Sequence, residues 1–189
     1  MLESKSRDYC EHRIRAGVLE QGTAELLRAA GVGERLDREG IVHGGIYLQF
    51  EGERHHVAMS ELTGRSIVIY GQTEVVKDLI AARVDSGPLL FEVGDVSVHD
   101  VDSRRPRIQF VHDGDPHELE CDLIAGCDGF HGVCRAAIPP GVLRTFEREY
   151  PFGWLGILAE VAPSMDELVC TWTERGFALL SLRSPTLSR

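Results

Sequence analysis

The chain has 189 residues, 43% hydrophobic and 26% charged, and 20 Lys+Arg against 30 Asp+Glu leave a formal net charge of −10. This length fits one domain, or one with a small addition, and the balanced composition excludes disordered and collagen-like classes. The acidic excess argues against nucleic-acid binding, which needs phosphate-neutralising cations, yet a few local arginines can still hold a small anion. No apolar run approaches a membrane span, and Met1 to Glu11 is polar rather than leader-like, so no membrane and a cytoplasmic setting are expected. The five cysteines, Cys10, Cys121, Cys127, Cys134 and Cys170, show no C-x-x-C spacing, which argues against a zinc site or a disulfide framework.

From Val18 to Ala30 the spacing of Leu19, Thr23, Leu26 and Ala30 predicts one helical face, stopped by Gly31 and Gly33. Ile46, Leu48 and Phe50 alternate with Tyr47 and Gln49. Glu51-Gly52-Glu53 then turns the chain toward Arg54 to Met59, a hairpin. Ser66 to Tyr70 reads as a strand leading through Gly71 to Glu74 into a helix, with Val75, Leu79 and Ala82 on one face and Thr73 as candidate N-cap. Leu89 to Phe91 reads as the next strand. VSVHDV, RIQFVH and HELEC follow as short strands, with a turn signal at Asp113-Gly114-Asp115. Leu123 to Ala125 predicts a short buried strand, ending in a glycine-rich turn and a short helix stopped by Pro139-Pro140. Phe152 to Val161, Leu168 to Thr173 and Phe177 to Leu182 read as strands of an antiparallel sheet. The single candidate boundary is the composition shift at Pro139 to Gly141.

Three clusters offer chemistry. Arg13 and Arg15, just before the expected first helix, suit a phosphate or pyrophosphate, though spacing alone favours a solvated basic patch. The run Gly126 to Gly132 contains Asp128 and His131. It allows close backbone approach, and the following helix end offers N–H groups to a phosphate or, through Asp128, to a ribose hydroxyl; a purely structural turn is the alternative. Ser181 and Arg183 share a face if the tail is a strand, and with Arg189 they suit a carboxylate, against the simpler reading of a surface face. The histidines, His43, His55, His56, His99, His112 and His117 among them, show no ligand spacing and are expected at the surface. No G-x-S-x-G motif supports a hydrolase.

The runs RIRAGVLEQG (Arg13 to Gly22), YGQTEV (Tyr70 to Val75), AGCDGFHGVCR (Ala125 to Arg135), YPFGWLGILAE (Tyr150 to Glu160) and RGFALLSLRSPTLSR (Arg175 to Arg189) carry a further signal. In their order and spacing the chain resembles the 4-hydroxybenzoate 3-monooxygenase family of FAD-dependent aromatic hydroxylases. The resemblance implies an α/β (α+β) fold. Residues 1–140 would form a truncated Rossmann-like FAD/NADPH-binding domain, and residues 141–189 would begin a β-rich substrate domain. It implies FAD and NADPH as cofactors, and a small aromatic carboxylate and O₂ as partners. The reaction would be hydroxylation of 4-hydroxybenzoate to 3,4-dihydroxybenzoate. By position, Glu3 would hold the FAD ribose, and Arg13 and Arg15 would lie near the pyrophosphate and the NADPH path. Gln72 would contact FAD, Asp128 would serve FAD and NADPH, and His131 would serve NADPH. Ser181, Arg183 and Arg189 would line the substrate pocket, Arg183 pairing with the carboxylate. Family members are commonly dimers, which leaves a homodimer open.

The chain departs from the family pattern at three places. Met1 stands near the end of the family's second strand, so the G-x-G-x-x-G unit is expected to be missing, and roughly half of the family chain follows the position of Arg189. Cys170 stands where the family has the tyrosine that takes the phenol proton. A thiol is shorter and more acidic, with a reference pKa near 8.5 against about 10. These departures keep two alternatives open: an inactive truncated remnant, and a module that binds aromatic carboxylates without catalysis. They also lead to the expectation that the chain alone folds in part or aggregates.

Overall fold

A computed structural model describes residues 1–189. In chain order the elements are α1 (Arg7–His12), β1 (Val18–Glu20), α2 (Gln21–Ala29), α3 (Glu34–Glu39), β2 (Ile41–His43), β3 (Ile46–Phe50), β4 (Glu53–Val57), α4 (Met59–Thr63), β5 (Ile67–Ile69) and α5 (Gln72–Ser86). There follow β6 (Gly94–His99), β7 (Arg107–His112), β8 (Asp115–Glu120), α6 (Val133–Ala136), β9 (Leu168–Thr173), β10 (Gly176–Leu180), β11 (Leu182–Ser184) and β12 (Leu187–Ser188). They form two compact units that interleave along the sequence. One comprises Met1–Tyr9 and Gly87–Gly153, the other Cys10–Ser86 and Trp154–Arg189.

In the second unit β5 is the centre of the antiparallel sheet β1-β5-β2. Leu19, Ala24, Leu27, Leu36, Val68 and Tyr70 form the core on it, with Val32 and Val75 packed against them. The helix expected from Val18 is corrected: Val18–Glu20 pair with β5 as a strand, and the helix begins at Gln21. Leu19 points inward between two exposed neighbours, a period-two pattern that the ladder with β5 selects over helix. The buried face of α2 is therefore Ala24 and Leu27, while Leu26 is exposed. The stop at Gly31 is observed. Its φ of 76° lets Gly31 N–H reach Arg28 O at 3.0 Å and Val32 N–H reach Leu27 O at 3.0 Å. This paired closure swings Val32 onto the core.

Helix α5 follows β5 as expected, but its buried residue is Ile80, and Leu79 is exposed. Thr73 is not the N-cap. Gly71 O accepts from Glu74 N–H and Val75 N–H at 2.9 and 3.1 Å, while the Thr73 hydroxyl donates to Arg13 O at 2.9 Å. The unit's other sheet has the order β10-β9-β3-β4, with β3 parallel to β9 and the remaining pairs antiparallel. The β3–β4 hairpin turns at Glu51-Gly52, φ 53° and 83°, the left-handed pair a tight hairpin requires. Phe152 to Val161 does not join this sheet as expected. Only Ala159 makes a bridge, to Ser188, and Phe152, Trp154, Leu155 and Ile157 stay exposed. An apolar run forms a strand only where a neighbouring edge takes up its backbone groups.

In the first unit β6, β7 and β8 form an antiparallel sheet, turning at Asp113-Gly114 as the sequence indicates. Arg107 ties the sheet together by ion pairs to Asp100 at 2.7 Å and Glu118 at 3.1 Å. The strand expected at Leu89 to Phe91 reduces to a single parallel bridge, Leu2 with Leu90. The buried strand expected at Leu123 to Ala125 is absent, and Leu123 is exposed. No strand of the unit pairs with this run to complete a ladder, so its apolar character does not convert into a strand.

Candidate functional site

In the second unit the segment Arg13 to Gly17 runs beside Tyr70 to Thr73. Tyr70 N–H donates to Gly17 O at 2.9 Å and Gln72 N–H to Ala16 O at 2.8 Å. With the Thr73 contact to Arg13 O, these bonds place Arg13, Arg15 and Gln72 on one strip, ahead of β1 rather than of a helix. The C-terminal strands reach the same strip. Arg189 Nη1 donates to Arg15 O at 3.3 Å, and Ser181 and Arg189 exchange two backbone bonds of 3.0 and 2.8 Å. The tail is not one continuous strand, because the ladder breaks at Ser181 between β10 and β11. Ser181 is buried rather than part of a surface face.

Arg183 and Arg35 show what decides the character of this region. Both guanidinium groups are partly buried. Arg35 bonds to Asp78 at 3.0 Å and also pairs with Glu74, while Tyr70 Oη donates to the same Asp78 at 2.7 Å. Burial alone would lower the Arg35 pKa, but these carboxylates outweigh it and raise it; burial and the bond to Asp78 push the Tyr70 pKa up. That network is structural and complete. Arg183 has no carboxylate partner, and its Nη1 is buried without any acceptor. Burial, and then the charge of Arg189, lower its pKa below the ordinary arginine value. A desolvated, unpaired cation beside a second cation attracts an anion.

Cys170 lies mid-strand on β9 opposite Leu48 and Leu179, and burial pushes its thiol pKa up, so it keeps its proton. A groove of about 430 Å³ is lined by Ile157, Val161, Val169, Leu180 and Leu182, together with Ser181 and Arg189. Val169 faces this groove and Cys170 does not line it, as alternation along a strand dictates. His43 is buried, which corrects its expected surface position. Its Nδ1 accepts from Leu168 N–H at 3.3 Å, its Nε2 has no partner, and burial lowers its pKa. His56 is exposed as expected, and its Nε2 lies 2.7 Å from Glu167, whose other oxygen accepts from Gly45 N–H at 2.8 Å. Burial would raise the Glu167 pKa, but these two bonds outweigh it and hold it low.

The first unit carries Glu3, Asp128 and His131. Glu3 Oε1 accepts from Lys5 N–H at 2.8 Å, and its backbone is fixed to Leu90 and Val93. Asp128 Oδ2 accepts from Cys134 N–H at 2.9 Å, and this bond holds its pKa below the ordinary range. The expectation of open N–H groups at this helix end is thereby corrected at Cys134: the loop's own carboxylate caps it. A Cβ on Gly132 would overlap the Asp128 carboxylate, and one on Gly126 would lie 2.5 Å from Cys134 Cβ, so both glycines are needed for this close loop. His131 meets Phe130 edge-on at 4.9 Å. Asp128, Gly126 and Arg135 line a cavity of about 620 Å³. The residue pattern did not single out Gly17, Gly71 or His43. Gly17 and Gly71 do stand within the quoted runs RIRAGVLEQG and YGQTEV, and at Gly17 only a packing partner far along the sequence, Arg183, gives the residue meaning.

Among known proteins, the chain is 49% identical over its full length to p-hydroxybenzoate hydroxylase of Acinetobacter baylyi, of which it spans 47%, about half. Its fold is similar to that of a probable FAD-dependent monooxygenase from Pseudomonas aeruginosa, with a TM-score of 0.73 at 17% identity, covering 99% of this chain and 51% of that one. It is also similar to p-nitrophenol 4-monooxygenase from Pseudomonas putida, with a TM-score of 0.71 at 14% identity, covering 100% of this chain and 49% of that one. The family model described as an FAD binding domain matches residues 1–189, and the chain belongs to that family of FAD-binding domains.

Proposed function

We propose that this chain carries the cofactor and substrate elements of an FAD-dependent aromatic monooxygenase that hydroxylates 4-hydroxybenzoate with NADPH and O₂. The balanced reaction takes NADPH, a proton, O₂ and 4-hydroxybenzoate to NADP⁺, water and 3,4-dihydroxybenzoate. The observation that carries the reading is the partly buried guanidinium of Arg183, which lies beside Arg189 with no carboxylate of the chain paired to it. An aromatic carboxylate supplies the missing counter-charge, and its bidentate geometry suits a guanidinium. Ser181 and Arg189 would complete the substrate set, and Cys170, outside the groove they line, would stand in for the family's tyrosine only as a protonated thiol.

The residues present fit a flavin nucleotide by kind. Arg13 and Arg15 suit the pyrophosphate, the Gln72 amide the ring system, and the Glu3 carboxylate a ribose diol. Asp128, in its glycine-built loop, and His131 would serve FAD and NADPH. Bound FAD would supply the redox and oxygen chemistry, while the chain's residues orient the ring substrate and exclude water. Residues 1–140 then serve the cofactors and residues 141–189 begin the substrate domain. This division by role runs across compact units that interleave along the sequence. The setting is the cytoplasm. The test is a titration of 4-hydroxybenzoate into the flavin-loaded protein, followed by NADPH oxidation and product analysis. Substrate-dependent formation of 3,4-dihydroxybenzoate that Arg183→Ala abolishes supports the proposal. Binding without turnover reduces it to a carboxylate-binding module, and absence of binding refutes it.

A further inference from the structure

Gly17 lies where the tail meets the Arg13 to Gly17 segment. Its φ is outside the left-handed region, so the backbone itself would accept any residue. The space would not. A Cβ built on Gly17 would overlap Arg183 Nη1 outright, and would lie 2.7 Å from Arg183 Cζ and 3.0 Å from Gly71 Cα. Arg183 Nη1 is the same atom that is buried without an acceptor. The guanidinium thus sits in the space that a Gly17 side chain would fill, a seat whose backbone is pinned by hydrogen bonds. Gly17 O is held by Tyr70 N–H at 2.9 Å, and the neighbouring Ala16 O by Gln72 N–H at 2.8 Å. Tyr70 itself is buried in the core and bonded to Asp78.

We propose that Gly17 is a positioning residue for the Arg183 guanidinium: the missing side chain turns Nη1 into the seat and leaves Nε and Nη2 as the fork that meets a ligand carboxylate. This deepens the carboxylate reading of Arg183 and rests on it. A two-nitrogen fork of fixed direction selects a planar carboxylate in one orientation, which a point charge does not. A residue that acts by steric exclusion of a neighbour has a defined signature. Its substitution is harmful only while that neighbour is present.

The test is a cycle of Gly17→Ala with Arg183→Lys and Arg183→Ala. For binding, 4-hydroxybenzoate is titrated into each variant by calorimetry. Gly17→Ala is expected to weaken binding at least about tenfold beside Arg183, and to add nothing beside Arg183→Lys, whose ammonium has no planar fork to displace. Equal weakening in both backgrounds, or none beside Arg183, overturns the proposal. For folding, urea midpoints are read without ligand. A fall in midpoint with Gly17→Ala that largely disappears in the Arg183→Ala background supports the seat, as does a Gly17→Ala variant that unfolds and is restored by Arg183→Ala. Equal losses in both backgrounds, or two unfolded variants, overturn it. If the unsubstituted protein does not bind 4-hydroxybenzoate, the carboxylate reading fails, and the urea cycle still decides whether Gly17 seats Arg183.

Discussion

Replacing Arg183 by Met is expected to make the ligand-free protein more stable and its carboxylate complex weaker. Burying an N–H group with no acceptor costs about 1–3 kcal/mol. Only Nη1 of the guanidinium is sealed in this way, so the low end applies, about 1 kcal/mol. Met keeps the unbranched stem packed and removes the unsatisfied donor. A gain of that size raises Tm by about 2–4 °C for a chain in this size class. With 4-hydroxybenzoate at about a hundredfold over its Kd, the unsubstituted protein gains about 2.7 kcal/mol by mass action. The variant, without the charge-assisted pair worth about 1.5–3 kcal/mol, binds roughly 10- to 150-fold more weakly and gains far less. Thermal melts followed by circular dichroism, with and without ligand, therefore give opposite rank orders. A variant that melts lower than the unsubstituted protein in the absence of ligand refutes the reasoning, because it means that the folded chain already satisfies the Arg183 guanidinium.

Arg35→Met is the converse, since it strips a cation from Asp78 and Glu74; a loss of about 2–3 kcal/mol is expected, read as a lower urea midpoint, and an unchanged midpoint refutes it. The pKa of His43 is lowered by burial, so the stability it contributes is complete above the ordinary value of 6.5 and is lost as pH falls through the lowered value. His43→Gln should therefore flatten the decline of Tm between about pH 7 and 5, and an unaltered slope counts against it. Gly132→Ala should drive the Asp128 carboxylate off Cys134 N–H. Amide exchange at Cys134 is then expected to quicken by about tenfold, and unchanged protection would show that the loop yields without losing its cap.

The parts of the fold legible in the sequence are those whose signals are local. The hairpins at Glu51-Gly52 and Asp113-Gly114 depend on left-handed turn residues, and the stop at Gly31 depends on one glycine, so a short window contains the cause. The misread elements are those whose partner is distant. Val18–Glu20 becomes a strand because β5 pairs with it, whereas Leu123 to Ala125 pairs with no strand and Phe152 to Val161 makes only the bridge from Ala159 to Ser188. The parallel pairing of β3 with β9 leaves no trace in either run, since both read as ordinary alternating strands.

The site divides in the same way. The clusters at Arg13 and Arg15, at Gly126 to Gly132 and at Ser181 to Arg189 were visible because their residue types are chemically loud. Which arginine is available to a ligand was not. Arg35 and Arg183 are the same residue type, both partly buried, and composition ranks them equally. Arg35 is bound to Glu74 and Asp78 on a helix far along the chain, whereas Arg183 lies against Gly17, which has no side chain to offer it a carboxylate. A ligand site for an anion is in this sense a structural network with its carboxylates left out. The position that leaves them out is Gly17, whose role becomes readable only when the guanidinium that covers it is seen in place. A carboxylate placed by substitution near that seat should accordingly convert Arg183 from the proposed ligand-binding group into a second Arg35, raising stability as it removes affinity.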